Sequence, residues 1–552
     1  MKSAMKTETV TRTVLVSVAG AVLVGSALMF VPGMVQDVPA PAPGPAARAM
    51  TAVASGAQAT LPDLAALIDD REKWLSKHPK DEESWAVLGA AYTERGTRVG
   101  EPASFRRAEW ALRRSLAALP AEEGNVDAQV GLGALANARG DYMTAWRWGE
   151  QARRLKPKRW TAYPVLFEAY NGLGNYKAAR EAVEQLGKLR TGSPVLARTA
   201  QSYRDRGWRE DAAATAAEAV ARAATPAEKA ACLHRLGELA WERGDLAEAV
   251  DNYDAALRLL PGHGPSLAGR ARALGALGRT DEAFRDYEAA LRALPLASYA
   301  LESGELYESL GLDTDAQERY AVLHDRQRRG NPGGADDTLV LGRFEADHGD
   351  PEAAVVRLRT LWAKHRSVEV ADALGWALLK AGEPRQALEF AKRATESGVR
   401  SALFTYHRGE VERALGEYGA ARRHIGEALR INPHFSPLLA PRAKESLSSL
   451  GDPPEGGPRQ MYPKPPATER QSARETGKPP GQRRGSVEPP SGRTAGPRTA
   501  SSPSSASGST PRASTSGAGW TSGTGSSSAS ASSAGAASSS TSSASSASTR
   551  TD

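Results

Sequence analysis

The side chains able to do chemistry are few and poorly grouped. Nine histidines are scattered along 552 residues, and none forms HExxH or another metal-ligand pair at helical spacing. The most site-like string is Asp347-His348-Gly349-Asp350. Its glycine and second aspartate have the order of a helix stop followed by a helix start, so a turn explains every residue except His348. The Gly-rich Asn331-Pro332-Gly333-Gly334 lacks the GK[ST] ending of a phosphate loop, and no GxSxG elbow is present. Cys232 is the only cysteine. That excludes an intrachain disulfide framework, a cysteine-based zinc site and a lipid-modified cysteine after the N-terminal apolar run. No nucleophile–base pair can be placed by spacing, so the expectation is a non-enzyme with no metal and no cofactor.

Charge makes a second exclusion. The formal charge of +7 and pI of 9.3 invite a nucleic-acid reading. Residues 1–60 carry four basic and two acidic groups, and residues 451–552 carry eleven and six. Residues 61–450 are left with 56 of each sign. The part of the chain able to fold is therefore neutral, and no nucleic-acid partner is expected. Ala, Arg, Leu, Glu and Gly dominate while Phe and Ile are scarce, which favours helices over sheets.

The elements that must position any site announce themselves by period. ACLHRLGELAWERGDLAEAVDNYDAALRLLP ends at Pro261, and SLAGRARALGALGRTDEAFRDYEAALRALP ends at Pro295, one 34-residue period later. The same frame pairs Gly244 with Gly278, Ala249 with Ala283, Tyr253 with Tyr287 and Ala256 with Ala290. This pattern resembles the tetratricopeptide repeat family, in which a Trp/Leu, Leu, Gly/Ala, Tyr helix precedes an Ala-rich second helix ending near Pro. Trp85, Leu88, Gly89 and Tyr92 open an early repeat; Gly409, Gly416, Ala421, Ala428 and Pro433 close the last. About ten repeats cover residues 80–435. The stretch LPDLAALIDDREKWLSKHP ahead of them reads as a lone helix with Trp74 and Pro79 in second-helix positions, and SPLLAPRAKESLSSL as a terminal capping helix. The expected fold class is all-α, a tetratricopeptide-repeat α-solenoid forming a right-handed superhelix of antiparallel helix pairs. Small residues at the crossings let helices approach, and each hairpin needs neighbours to bury its apolar face.

The resemblance also implies a concave groove lined by first helices. In its register the groove residues are His234, Glu238, Trp241 and Glu242, then Arg272, then Glu305 and Glu308. Arg343, Trp376, Tyr406, Glu410 and Arg413 follow. Trp241 and Trp376 are the anchor candidates, since large aromatics dominate binding surfaces; the alternative is that they are core residues. Repeats that hold a chaperone's C-terminal carboxylate resemble one another in a Lys-then-Asn pair. Ala86 and Ala90 stand at those positions, so that activity is not carried over.

The ends differ from the middle. Thr13 to Gln36 contains no charged residue, about the length that crosses a bilayer core, roughly 20 residues. Three basic residues and one acidic residue precede it, which keeps the N-terminus cytoplasmic. The sequence thus reads as a cytoplasmic N-terminus (1–12), a transmembrane anchor or cleaved signal (13–36) and a flexible Pro/Ala linker (37–60). The solenoid (61–450) and a disordered Pro/Ser/Ala-rich tail (451–552) follow. It resembles membrane-anchored or exported bacterial tetratricopeptide-repeat proteins. The functional expectation is a scaffold anchored in the cytoplasmic membrane, repeats outside, binding a protein or peptide partner in the groove. The competing readings are a cytoplasmic regulator or assembly factor, and an envelope enzyme with an unrecognised site.

Overall fold

The computed structural model describes residues 42–451. The apolar run 13–36 and the tail from residue 452 lie outside the described residues. Twenty-three α-helices and one 3-10 turn (Ala121–Glu123) follow one another, with no strand among the described residues. They are α1 (Pro45–Ser55), α2 (Leu61–Lys77), α3 (Glu82–Val99), α4 (Pro102–Ala118), α5 (Val126–Ala138), α6 (Tyr142–Leu155), α7 (Ala162–Gly172) and α8 (Tyr176–Leu189). Next come α9 (Ser193–Arg204), α10 (Arg209–Ala221), α11 (Pro226–Arg243), α12 (Leu246–Leu259), α13 (Gly264–Ala276), α14 (Thr280–Ala293), α15 (Ala297–Ser309) and α16 (Asp313–Arg329). The array ends with α17 (Thr338–His348), α18 (Pro351–Lys364), α19 (Val368–Lys380), α20 (Pro384–Thr395), α21 (Ala402–Ala414), α22 (Tyr418–Ile431) and α23 (Leu439–Ser449).

Helices pair as hairpins, α1 with α2 through α21 with α22, and each hairpin packs on the next. Ten of them, from α3–α4 onward, occupy the span where the period is legible. The eleventh corrects the sequence reading. Residues 45–55, expected in a flexible linker, form α1, and α2 is not a lone helix because α1 is its partner. Pro45 starts α1, and its face of Ala49 and Ala52 is buried against the same cluster as Leu64 and Leu67. An Ala/Pro-rich string reads as spacer until a neighbouring helix offers an apolar face to cover it.

The turns obey local rules. Asp141, Asn175 and Asp245 each accept a backbone N–H from the first turn of the helix they precede, satisfying an orphan donor. Gly244 closes α11 at φ 79°, a left-handed conformation that costs a side-chain-bearing residue about 1–2 kcal/mol. Gly349 departs from that pattern at φ −144°, while Asp350 still caps α18 through the N–H groups of Glu352 and Ala353. Close crossings explain the small residues. A Cβ added at Gly237 or Gly269 would sit 2.5 Å or 2.6 Å from the ring of Tyr253. That ring fills the slot between α11, α12 and α13 completely.

The hairpins wind back on themselves. The Val368 N–H donates to Tyr176 Oη at 2.9 Å, Arg209 donates to the Arg400 carbonyl at 3.0 Å, and Asn432 Nδ2 donates to the Trp241 carbonyl at 2.8 Å. Each pair is separated by 191 or 192 residues. The Tyr142 ring meets His365 edge-on at 5.1 Å. A Cβ at Gly174 would run into the Arg366 carbonyl, and one at Gly207 into that of Gly398. In every case the turn inside one hairpin meets the loop that follows a hairpin one winding later. This seam has no counterpart in the 34-residue pattern.

Candidate functional site

First helices of successive hairpins turn one face inward, and that face walls two cavities. The first, of about 690 Å³, is lined by α7, α9 and α11 (Glu168, Ala197, Gln201, Asp205, Ala231, Arg235) and, one winding later, by Asp336, His365 and Glu369. Five carboxylates, Glu168, Asp205, Glu228, Asp336 and Glu369, face it against two guanidiniums, Arg198 and Arg235. Burial pushes the Asp205 carboxyl up to about 6, with Glu369 adding to the rise and Arg204 and Gln201 opposing it.

The second cavity, of about 510 Å³, is the interior of the last winding, α11 to α21. Trp241, Leu301, Leu306, Trp376, Leu403 and Phe435 give it an apolar wall. The segment Pro433–Lys444, entering α23, closes one side. Arg272, Arg343 and Lys444 face it with Glu302, Glu305, Asp347, Asp372 and His407.

The twelve groove residues named from sequence separate into three groups. Trp241, Arg272, Glu305, Arg343 and Trp376 come together on the second cavity. The tryptophans are also largely buried, 8% and 6% exposed; they are core and wall at once. His234, Glu238 and Glu242 line a smaller recess of about 270 Å³ with Gln201, Arg204 and Arg235. Arg272 bridges the two, pairing with Glu238 at 2.7 Å while its guanidinium lies 5.1 Å from the Trp241 ring centre. Burial would raise Glu238, but Arg272, His234 and the Tyr253 hydroxyl outweigh it and hold the carboxyl at about 2. Burial lowers the neighbouring His234 to about 4.

Glu308, Tyr406, Glu410 and Arg413 line neither cavity nor the recess. Tyr406 packs against Phe435 and Trp376, so the segment entering α23 covers the face where the groove was expected. Glu410 and Arg413 pair with each other at 2.7 Å. Glu308 accepts from the Tyr320 hydroxyl at 2.7 Å and lies 3.2 Å from His348 Nδ1. The turn that explains Asp350 does not explain His348, whose ring lies against Tyr320 and Phe344. Burial pulls His348 down, but Glu305, Glu308 and Asp347 around it prevail and its pKa is raised.

Sequence reasoning missed Asp372 and His407. His407 Nδ1 lies 3.0 Å from the Asp372 carboxylate, and its ring stacks on Trp376 at 4.0 Å. The two residues are 35 positions apart, which places them on adjacent first helices, α19 and α21. A search for ligand pairs within one helix cannot see such a pair; one at the repeat spacing can.

Two segments, residues 228–294 and 373–434, each match a tetratricopeptide repeat family model. Both segments are tetratricopeptide repeats. The matched segments cover α11 to α14 and α19 to α22, which flank the second cavity. No curated protein matches the chain. Among solved structures, the PilF protein of Pseudomonas aeruginosa is 20% identical, covering 39% of this chain and 96% of its own, with a TM-score of 0.31. Human IFIT1, in a dimer with PPP-AAAA, is 16% identical over 63% of this chain and 81% of its own, at a TM-score of 0.40. A tetratricopeptide repeat protein from Parabacteroides merdae is 19% identical over 47% and 99%, at 0.29. Repeats of this family suggest a protein-interaction scaffold.

Proposed function

We propose that this chain is a non-enzymatic scaffold that holds an extended segment of a protein partner inside its winding array. One observation carries the reading: inward side chains of α7, α9 and α11 face those of α19 across the first cavity, so a bound strand is contacted from two windings. Five carboxylates against two guanidiniums favour a segment carrying Lys or Arg, because charge complementarity selects partners and speeds encounter. Ala197 and Ala231 are small wall residues where a photoreactive side chain fits. Crosslinking from either position should capture the same partner reproducibly, and added salt should weaken capture. The exposed Val356, 67% accessible, serves as the control. Capture no more specific than from Val356 would remove this reading.

We also propose that residues 13–36 anchor the chain in a cytoplasmic membrane with the repeats on the far side. The uncharged run and the basic residues before it support this. Among the described residues, no helix is long and apolar enough to cross a membrane. Protease added to intact cells should digest the repeats; protection alongside a digested surface control would exclude the topology. Sequencing the mature N-terminus separates an anchor from a cleaved signal.

A further inference from the structure

The second cavity holds polar groups that the fold does not use. Its carboxylates all have partners. Asp347 accepts from Trp376 Nε1 at 2.9 Å and lies 3.3 Å from Lys380; Asp372 pairs with His407; Glu305 lies 3.7 Å from His348; Glu302 accepts from Tyr287 at 3.3 Å. Its cations do not. Arg272 is paired with Glu238, whereas Arg343 and Lys444 make no hydrogen bond or ion pair among the described residues. The carboxylates of the wall are engaged, so among its charged side chains Arg343 and Lys444 are the two without a partner.

His407 adds an independent observation. It is 5% exposed, Asp372 occupies Nδ1, and Nε2 has neither a hydrogen-bond partner nor solvent. With Asp372 accepting from Nδ1–H, Nε2 of the neutral ring is an acceptor for one hydrogen bond. Buried polar atoms are rarely left in this condition, because desolvation without a partner is costly. The ring belongs to the cavity wall and is stacked on Trp376, which fixes its orientation.

We propose that this chamber binds a small carboxylic acid with an apolar or aromatic body and a hydrogen-bond donor such as a hydroxyl. Arg343 and Lys444 take the carboxylate, Trp241, Trp376 and Phe435 pack the body, and His407 Nε2 accepts from the donor. A cavity of about 510 Å³ lies within the roughly 300–1,000 Å³ of small-ligand sites, which are likewise apolar with a few placed polar groups. The segment Pro433–Lys444 closes one side, which favours a compact ligand over a through-running polypeptide. The inference is independent of the scaffold reading, which concerns the first cavity.

The test is calorimetric titration of the full-length chain with hydroxyphenylpropionate, phenylpropionate and the uncharged phenylpropanol. The expected result is saturable binding of hydroxyphenylpropionate, with phenylpropionate weaker and phenylpropanol weaker again. Arg343→Gln should lower affinity for both acids about tenfold and leave phenylpropanol unchanged. Lys444 is exposed, so Lys444→Gln keeps the fold and gives the same selective loss should the Arg343 variant lose helicity. Equal binding of acid and alcohol, unaltered acid affinity in a folded variant, or no saturable binding of any probe would overturn the proposal. Failure of all three probes while Ala197 crosslinking still captures its partner would leave the scaffold reading standing.

Discussion

The two cavities are built by different rules. Opposite walls of the first come from different windings: Tyr142, Glu168 and Gln201 on one side, Asp336, His365 and Glu369 on the other. The second is walled by consecutive hairpins and the segment that follows them, and it meets the seam where Asn432 reaches Trp241. A repeat array is expected to be quasi-one-dimensional, each hairpin depending on its neighbours. The second cavity follows that rule except where the segment after α22 closes on α11. The first does not, because it exists only while residues 191 or 192 positions apart stay together. The seam therefore adds a long-range coupling to a fold otherwise held by local terms.

Two glycines isolate that coupling, and they carry the largest expected effect. Gly174 and Gly278 both end first helices in the left-handed region, at φ 75° and 77°. Only Gly174 faces the seam; around Gly278 an added Cβ meets nothing within 4 Å. Gly278→Val should cost about 1–2 kcal/mol, the price of the left-handed conformation alone. Gly174→Val must also push the Arg366 carbonyl away, so a loss of roughly 3–4 kcal/mol is expected. Urea titrations of both variants read the difference directly. Equal losses would mean that the seam contributes nothing to stability.

That seam marks where the sequence stops being informative. Tyr253 between Gly237 and Gly269, and Ala249 and Ala256 beside it, follow from residues 34 apart, because the same crossing recurs in each hairpin. Trp241 and Trp376 were placed by the same register, and both reach the second cavity. The register leads to no cavity at Glu308, Tyr406, Glu410 and Arg413; it describes an open groove, whereas the segment entering α23 packs on Tyr406 of the last hairpin. It also gave no sign of Tyr176 meeting Val368, since the pitch of a winding is a sum of small rotations that no single repeat encodes. The helix α1 was hidden for another reason: PAARAMTAVAS is Ala-rich and carries Pro at its start, so composition alone matches a spacer. Asp372 and His407 were legible in principle, one repeat plus one residue apart, but only to a search made at the repeat spacing.

The first cavity and the recess beside the second should also respond to pH with opposite sign. Asp205, on the first, is raised from 3.8 to about 6 in the folded chain. The folded state then holds the proton more tightly than the unfolded one, so acidification from about pH 6 to pH 4 favours folding through this group. Glu238, in the smaller recess and paired with Arg272 of the second cavity, is lowered from 4.5 to about 2. Its contribution is present above about pH 4.5 and is lost as pH falls toward 2. At about 1.4 kcal/mol per unit, each effect reaches at most about 3 kcal/mol. Relative to wild type, Asp205→Asn should therefore be more favourable at pH 7 than at pH 4. Glu238→Gln should be more harmful at pH 7 than at pH 3. Stability differences that do not change with pH in either variant would refute the corresponding assignment.

The smallest expected effect tests the seam without adding bulk. Tyr176 Oη accepts the Val368 N–H at 2.9 Å, at the first residue of α19. Burial raises the phenol well above its ordinary range, so its O–H stays intact across the pH range in which the array is folded. Tyr176→Phe keeps the ring and removes only the acceptor, leaving a backbone donor unpaired in a half-closed wall. A loss of about 1 kcal/mol is expected, near the net value of one hydrogen bond plus part of a desolvation cost. Tyr253→Phe is the matched change inside a hairpin, where the hydroxyl donates to Glu238 at 2.6 Å. The global losses of the two variants should be similar, so location rather than size separates them. Hydrogen exchange should quicken at Val368 and its neighbours in the first variant, and around α11 to α13 in the second. Quickening spread evenly over the array in both cases would mean that the windings and the hairpins open as one unit, and that the seam is no weaker than the stack it closes.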